Sequence, residues 1–211
     1  MMTPPRHPCE RQTMTRFVAA AARCAAVLAV VAVSACETPT ATPKYPEITF
    51  KHLDPIRLDV AEVEYVQAYA PPQKAPNVEH LFPVRLSTVA RRWADERIVA
   101  TGVTRVARIT LVDAAVVETA LVKKTGIEGA FTTDQSERYD GAVEMRIEIV
   151  DSRGAVEAEA RAVANRSRTV PEDITLTERD QVWFEMTEAM MRDLDKELEL
   201  TIRRHLAKFV R

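Results

Sequence analysis

Few side chains in this sequence are placed to do chemistry, and the first is a cysteine. The stretch AVLAVVAVSAC, residues 26–36, is small and apolar until it stops on Cys36. An ionised thiol is a strong nucleophile, and the small residues Ser34 and Ala35 before it suit a cleavage site. The histidines left beyond that point, His52, His80 and His205, lie far apart, at none of the short spacings of a zinc site. No G-x-S-x-G surrounds any serine, and five glycines in 211 residues leave no loop able to cradle phosphate. Asp134, Ser136 and Asp140 alternate as calcium ligands do, but Arg138 takes a ligand position and Tyr139 stands where the turn glycine belongs. No catalytic residue, metal site or cofactor is expected, and the chain is not expected to be an enzyme.

The residues around Cys36 explain the cysteine. Arg6, Arg11, Arg16 and Arg23 precede the apolar run, and Glu10 is the only acid before it. A basic segment, a short apolar segment and small residues at the cut describe a secretory signal. The uncharged run is too short for a membrane span, which needs roughly 20 residues. Met14-Thr15-Arg16 also reads as a start, with residues 1–13 an upstream extension. Val33-Ser34-Ala35-Cys36 resembles the lipobox of bacterial lipoproteins. That resemblance implies a diacylglycerol on the Cys36 thiol, cleavage just before it, and residues 1–35 removed. The alternative is an ordinary signal cut after Ala35, which leaves an exported chain with one unpaired cysteine, because Cys9 and Cys24 are discarded.

Two or three acyl chains anchor stably where one is marginal, so the expected partner of the N-terminus is a membrane. Residues 36–47, rich in Thr and Pro and free of Gly, form a tether. At about 3.1 Å per residue it holds the domain some 30 Å off the bilayer. Glu37 follows the cysteine where enterobacterial lipoproteins kept in the inner membrane carry aspartate, so the resemblance favours the outer membrane, facing the periplasm. Removing residues 1–35 takes 4 of 29 Lys+Arg and 1 of 31 Asp+Glu, leaving 25 against 30, a formal charge of −5. That acidity argues against nucleic acid as a partner and against a polybasic grip on anionic lipid. The oligomeric state is open.

The remaining residues, 48–211, suit one α+β domain. Ile56 to Val60 alternates as a strand, and a bulge near Ala61 carries it on to Tyr69. Pro83 suits a first helical turn; Leu86, Val89, Ala90 and Trp93 repeat at helical spacing, and Gly102 stands as the C-cap. Ala107 to Leu111 alternates as a strand continuing towards Leu121. Val143, Met145, Ile147 and Ile149 mark the clearest strand, 142–150. Asp151 to Gly154 is a hairpin turn. In the return arm, 155–162, the period of two outweighs a helix-favouring composition and aligns Val156, Ala158, Ala160 and Ala162 on the inward face. A last helix runs from Thr177 to Phe209, acidic in its first turn and basic in its last. The order β-α-β-β-β-α is a two-layer sandwich with two amphipathic helices on one face of a four-stranded sheet.

One stretch is too long for an ordinary hairpin loop. Lys123 to Tyr139 carries Phe131, Asp134, Gln135, Arg138 and Tyr139, the aromatic and arginine types that anchor interfaces. These five are the candidate contact residues for a protein partner; the alternative is a loop packed on its own sheet, with Phe131 plugging a core edge.

Lipobox, tether and element order together resemble small lipoproteins of the Gram-negative envelope: the lipopolysaccharide-assembly lipoprotein and the auxiliary lipoproteins of lipid-transporting ABC systems. Residues 76–83 and 134–141 also look like segments of uncharacterised proteobacterial lipoproteins. The resemblance implies a non-catalytic accessory or docking subunit of an envelope assembly, or of a lipid or lipopolysaccharide transport complex. The alternative is a lipoprotein regulating a peptidoglycan synthase, or a cell-wall-associated structural lipoprotein.

Overall fold

Alternation of apolar and charged side chains builds the sheet. In the computed structural model, which describes residues 45–121 and 135–211, Val143, Met145, Ile147 and Ile149 are all fully buried on one face of a strand. The elements in chain order are β1 (Ile56–Leu58), β2 (Glu62–Gln67), α1 (Leu86–Arg97), β3 (Ile98–Ala100), β4 (Val106–Asp113), β5 (Val116–Ala120), β6 (Gln135–Val150), β7 (Val156–Pro171) and α2 (Leu176–His205). β6 is the axis of the main sheet. β4 and β5 lie end to end along one of its edges, β7 pairs with the other, and β2 joins β4 in parallel. β1 and β3 form a separate parallel pair. The α+β two-layer sandwich is the expected one, with α1 and α2 supplying the second layer, but the main sheet has five strands in place of four because the strand expected from Ala107 towards Leu121 is two, β4 and β5.

Where expectation and structure differ, the reasons are local. The 56–69 strand is broken at residues 59–61, and β1 leaves the main sheet to pair with β3. Pro83 precedes the first turn of α1, which starts at Leu86 without a side-chain cap. Gly102 is not the helix cap: α1 ends at Arg97 and runs straight into β3, and Gly102 instead passes against the backbone of Asp59 and Val60. The strand expected through Leu121 is interrupted at Ala114 and Ala115, where the Asp113 carboxylate accepts the N–H of Ala115 at 3.1 Å.

The hairpin turn forms where the sequence places it. Gly154 takes φ +83°, which suits glycine, and Asp151 Oδ1 accepts the N–H of Arg153 and of Ala155, each at 2.8 Å. These bonds, the one from Ala155 foremost, hold the Asp151 carboxyl below its ordinary range. The return arm is a strand of 16 residues, longer than expected. Ala160, Ala162 and Ala164 face the helices, so the backbone of α2 sits close over them; Val156, expected inward, is 50% exposed. α2 opens with a capping box, Thr175 Oγ1 accepting the N–H of Glu178 at 3.2 Å and Glu178 Oε2 accepting the N–H of Thr175 at 2.9 Å. Its buried stripe includes Met186, Met190, Leu194, Leu198 and Ile202. It ends at His205, followed by a 3-10 turn, Ala207–Phe209.

The folded unit begins at Tyr45. Tyr45 stacks on Phe184 at 5.0 Å, and Arg92 bonds Glu47 and the carbonyl of Ile48 at 3.1 and 2.9 Å, so residues 45–47 belong to the fold and not to the tether.

Candidate functional site

The expected contact loop ends earlier than its sequence suggests. Residues 135–139 open β6 as strand, paired with the end of β7 on one side and, from Glu137, with β5 on the other; the register shifts between Gln135 and Glu137, and regular alternation runs from Glu137 onward. Successive residues of a strand point to opposite faces, so Arg138 and Tyr139 do not share a surface. This corrects the expectation that both anchor one contact. Tyr139 is fully buried, edge-on to Trp183 at 5.5 Å, and Trp183 in turn stacks on Phe82 at 5.0 Å. The Tyr139 hydroxyl donates to Glu137 Oε2 at 2.6 Å, and Arg179 approaches the same oxygen at 3.2 Å. Burial, then the bond to Glu137, pushes the Tyr139 phenol up, so it remains a proton donor. Burial and the neighbouring Glu137 likewise push Glu118 up. The cluster fastens the end of the sheet to α2.

Arg138 lies on the opposite, open face. Its Nε donates to Asp140 Oδ2 at 2.7 Å, and the Ser167 hydroxyl donates to Asp140 Oδ1 at 2.6 Å. Ser167 first and then Arg138 hold the Asp140 carboxyl below its ordinary range. Gln135 is exposed at the start of the strand. Gln135 and Arg138 are therefore the candidate contact residues that the structure places at the surface. Cys36, with Val33, Ser34 and Ala35, lies outside the described residues, as do Phe131 and Asp134.

No family model matches the chain, and no curated protein matches it. Among solved structures it is similar to a minor lipoprotein from Acinetobacter baumannii, at 11% identity and a TM-score of 0.37, over 69% of this chain and 91% of that one. It is also similar to a protein of the DUF330 family from Xanthomonas campestris, at 12% identity and a TM-score of 0.28, over 72% of this chain and 90% of that one. Likenesses this loose bear on no residue and on no activity.

Two buried polar clusters escaped the sequence. Glu79, in a 3-10 turn, accepts from the Tyr69 hydroxyl at 2.7 Å, the Asn77 amide at 3.3 Å and the backbone N–H of Val116 at 3.1 Å. It thereby ties the proline-rich connection to the start of β5, beside a cavity of 170 Å³. Between the helices, Asp195 Oδ1 accepts from Trp93 Nε1 at 2.7 Å and from Arg97 Nε at 2.8 Å. Arg97 also donates to Glu199 Oε2 at 2.8 Å and to the carbonyl of Asp54. The only sequence signal was Asp195 itself, an acid on the buried stripe of α2; nothing in the sequence named its partners. Among the described residues no three or more His, Cys, Asp or Glu gather as metal ligands, and no helix is long and apolar enough to cross a membrane.

Proposed function

We propose that this chain is a bacterial envelope lipoprotein, lipidated at Cys36 and facing the periplasm, outer membrane in preference to inner. It acts without catalysis as an accessory or docking subunit of an envelope assembly, or of a complex that moves lipid or lipopolysaccharide. The observation that carries this reading is Val33-Ser34-Ala35-Cys36 at the end of a short apolar run, followed by a Thr/Pro tether and then one folded unit from Tyr45. A lipid on the thiol accounts for the single cysteine of the mature chain.

The polar clusters support a binding role over a chemical one. The Glu79 and Asp195 carboxylates are occupied by donors from their own chain, and the Tyr139 phenol is bound to Glu137. A group already satisfied in this way positions structure and is poorly placed to transfer a proton to a substrate. The partner contacts the surface where β6 begins, at Gln135 and Arg138; Phe131 and Asp134, outside the described residues, complete the candidate set by sequence alone. Tyr139 supports that surface from beneath.

Cys36→Ser tests the anchor. Cells grown with an alkyne-tagged fatty acid incorporate the label into the parent protein, which fractionates with membranes. The variant takes no label and keeps its signal as a longer precursor. Equal labelling of the two would place the lipid elsewhere and remove the basis of this reading.

A further inference from the structure

Along β7 the sheet is unfinished. β7 pairs with β6 over Val156–Pro171, and among the described residues no strand covers its other edge. Proteins usually blunt such an edge with charged side chains, proline, bulges or a covering element, because a free row of N–H and C=O groups invites another strand, and β7 carries charges of both signs. Here the only proline is the last residue, and the register shifts lie at the two ends of the β6–β7 pair.

The charges on the open face of this edge are mismatched within one chain. Going outward across the sheet, Glu64 faces Arg108, and Arg108 faces Glu148. The alternation then fails: Glu148 faces Glu159, and in the next row Arg146 faces Arg161. Like charges directly opposite each other destabilise a strand pair. Arg161 finds relief diagonally, at 2.7 Å from Glu144. Glu159 is exposed and makes no ion pair among the described residues.

We propose that β7 is a homodimer interface, in which a second copy of this chain adds its own β7 in antiparallel fashion about a two-fold axis at Ala160. In that register Glu159 faces Arg161 of the second copy and Arg161 faces its Glu159, so each charge that meets a like charge on its inner side meets an opposite one across the axis. Nine residues of each strand, Val156 to Ala164, pair, and both helix layers stay on one face. Neighbouring registers fail: an axis at Glu159 or Arg161 sets that charge against itself, and one at Ala162 leaves Arg161 facing Val163.

Charges on the helices beside the edge add a bias in the same sense. Beside Arg161 and Asn165 the groove between β7 and α2 carries Asp193, paired with Arg166 at 2.6 Å, and Glu197. Beside Glu157, which is paired with Arg105 at 2.7 Å, and Ala158 it carries Arg204 and Lys208, with Asp59 on the same wall. A two-fold at Ala160 lays residue 157 against residue 163 of the other copy, bringing the stretch with Arg204 and Lys208 in one copy beside the stretch with Asp193 and Glu197 in its mate. Closed two-fold pairing of one self-complementary patch is the commonest form of assembly.

The test uses the whole lipidated protein in detergent, with its mass measured by light scattering corrected for bound detergent. The parent is expected as a dimer. Glu159→Arg alone and Arg161→Glu alone are each expected as monomers, at half the mass, because each sets four like charges at the axis. Mixing the two variants in equal amounts restores the dimer, since every facing pair is then opposite in sign. No rearrangement inside one chain could produce that rescue, and circular dichroism confirms that both variants are folded. A monomeric parent overturns the proposal. So does a dimer that survives both reversals, or a mixture that stays monomeric.

Discussion

Asp195→Ala lowers the stability of the domain by about 3–5 kcal/mol, the loss found when one partner of a buried ion pair is removed. In a domain of this size that is a fall of roughly 6–20 °C in Tm. Asp195 is 7% exposed and Arg97 1%, and the carboxylate holds two donors at once, the Trp93 indole and the Arg97 guanidinium. Removing it leaves a buried indole N–H without an acceptor and a buried cation with only Glu199 and the Asp54 carbonyl. Removing the charge from both sides costs less. Arg97→Met combined with Asp195→Leu recovers about half of the loss, because apolar groups of similar volume replace a buried pair at little net cost. About 1–3 kcal/mol remains for the unpartnered Trp93 indole. Denaturant unfolding of the parent, the single variant and the double variant gives all three values. A single variant within about 1 kcal/mol of the parent, the size of an ordinary exposed pair, would mean that water already reaches the cluster.

Gly102→Ala is the second large effect. A Cβ there would stand 2.7 Å from the carbonyl carbon of Asp59 and 2.8 Å from the nitrogen of Val60, both backbone atoms. The strands cannot part without breaking the bond from Gly102 N–H to the Val60 carbonyl, 2.9 Å, and the one from Thr101 N–H to the Leu58 carbonyl, also 2.9 Å. Overpacking against backbone costs about 1–3 kcal/mol and occasionally more. Gly141→Ala is the internal control. Its Cβ would meet Met186 Cε at 2.7 Å and Met190 Sδ at 2.9 Å, the far ends of flexible side chains that can move aside. Its expected loss lies at the low end of that range, about 1 kcal/mol. If the same unfolding measurement ranks the two glycines in the opposite order, close backbone approach is not what position 102 requires.

These positions show where sequence reading stops. The paired alternation of 142–150 and 155–162 and the long stripe of α2 carry the sandwich, because each buries one face and the period alone names the element. The start of β6 was hidden because Gln135 to Asp140 is polar except for Tyr139. It is a strand through its neighbours, β5 on one side and β7 on the other. Gly102 reads as a helix cap because caps and close approaches both call for glycine, and only the chain path tells them apart. Helical spacing puts Trp93 and Arg97 on one face of α1, yet their acceptor lies 98 residues beyond Arg97 on another helix. Pairings of that range have no local signature. For the candidate contact the residue types were legible, but their directions were not, since one strand step separates exposed Arg138 from buried Tyr139.

The proposed docking on an envelope complex is open to affinity capture. The full-length protein, expressed at its native level, is recovered from detergent-solubilised envelopes beside a variant carrying Gln135→Ala and Arg138→Ala. The parent is expected to bring down a defined transport or assembly complex in constant proportion; the double variant, equally abundant and equally membrane-bound, is expected not to. A parent protein recovered with no constant companion would contradict the docking role.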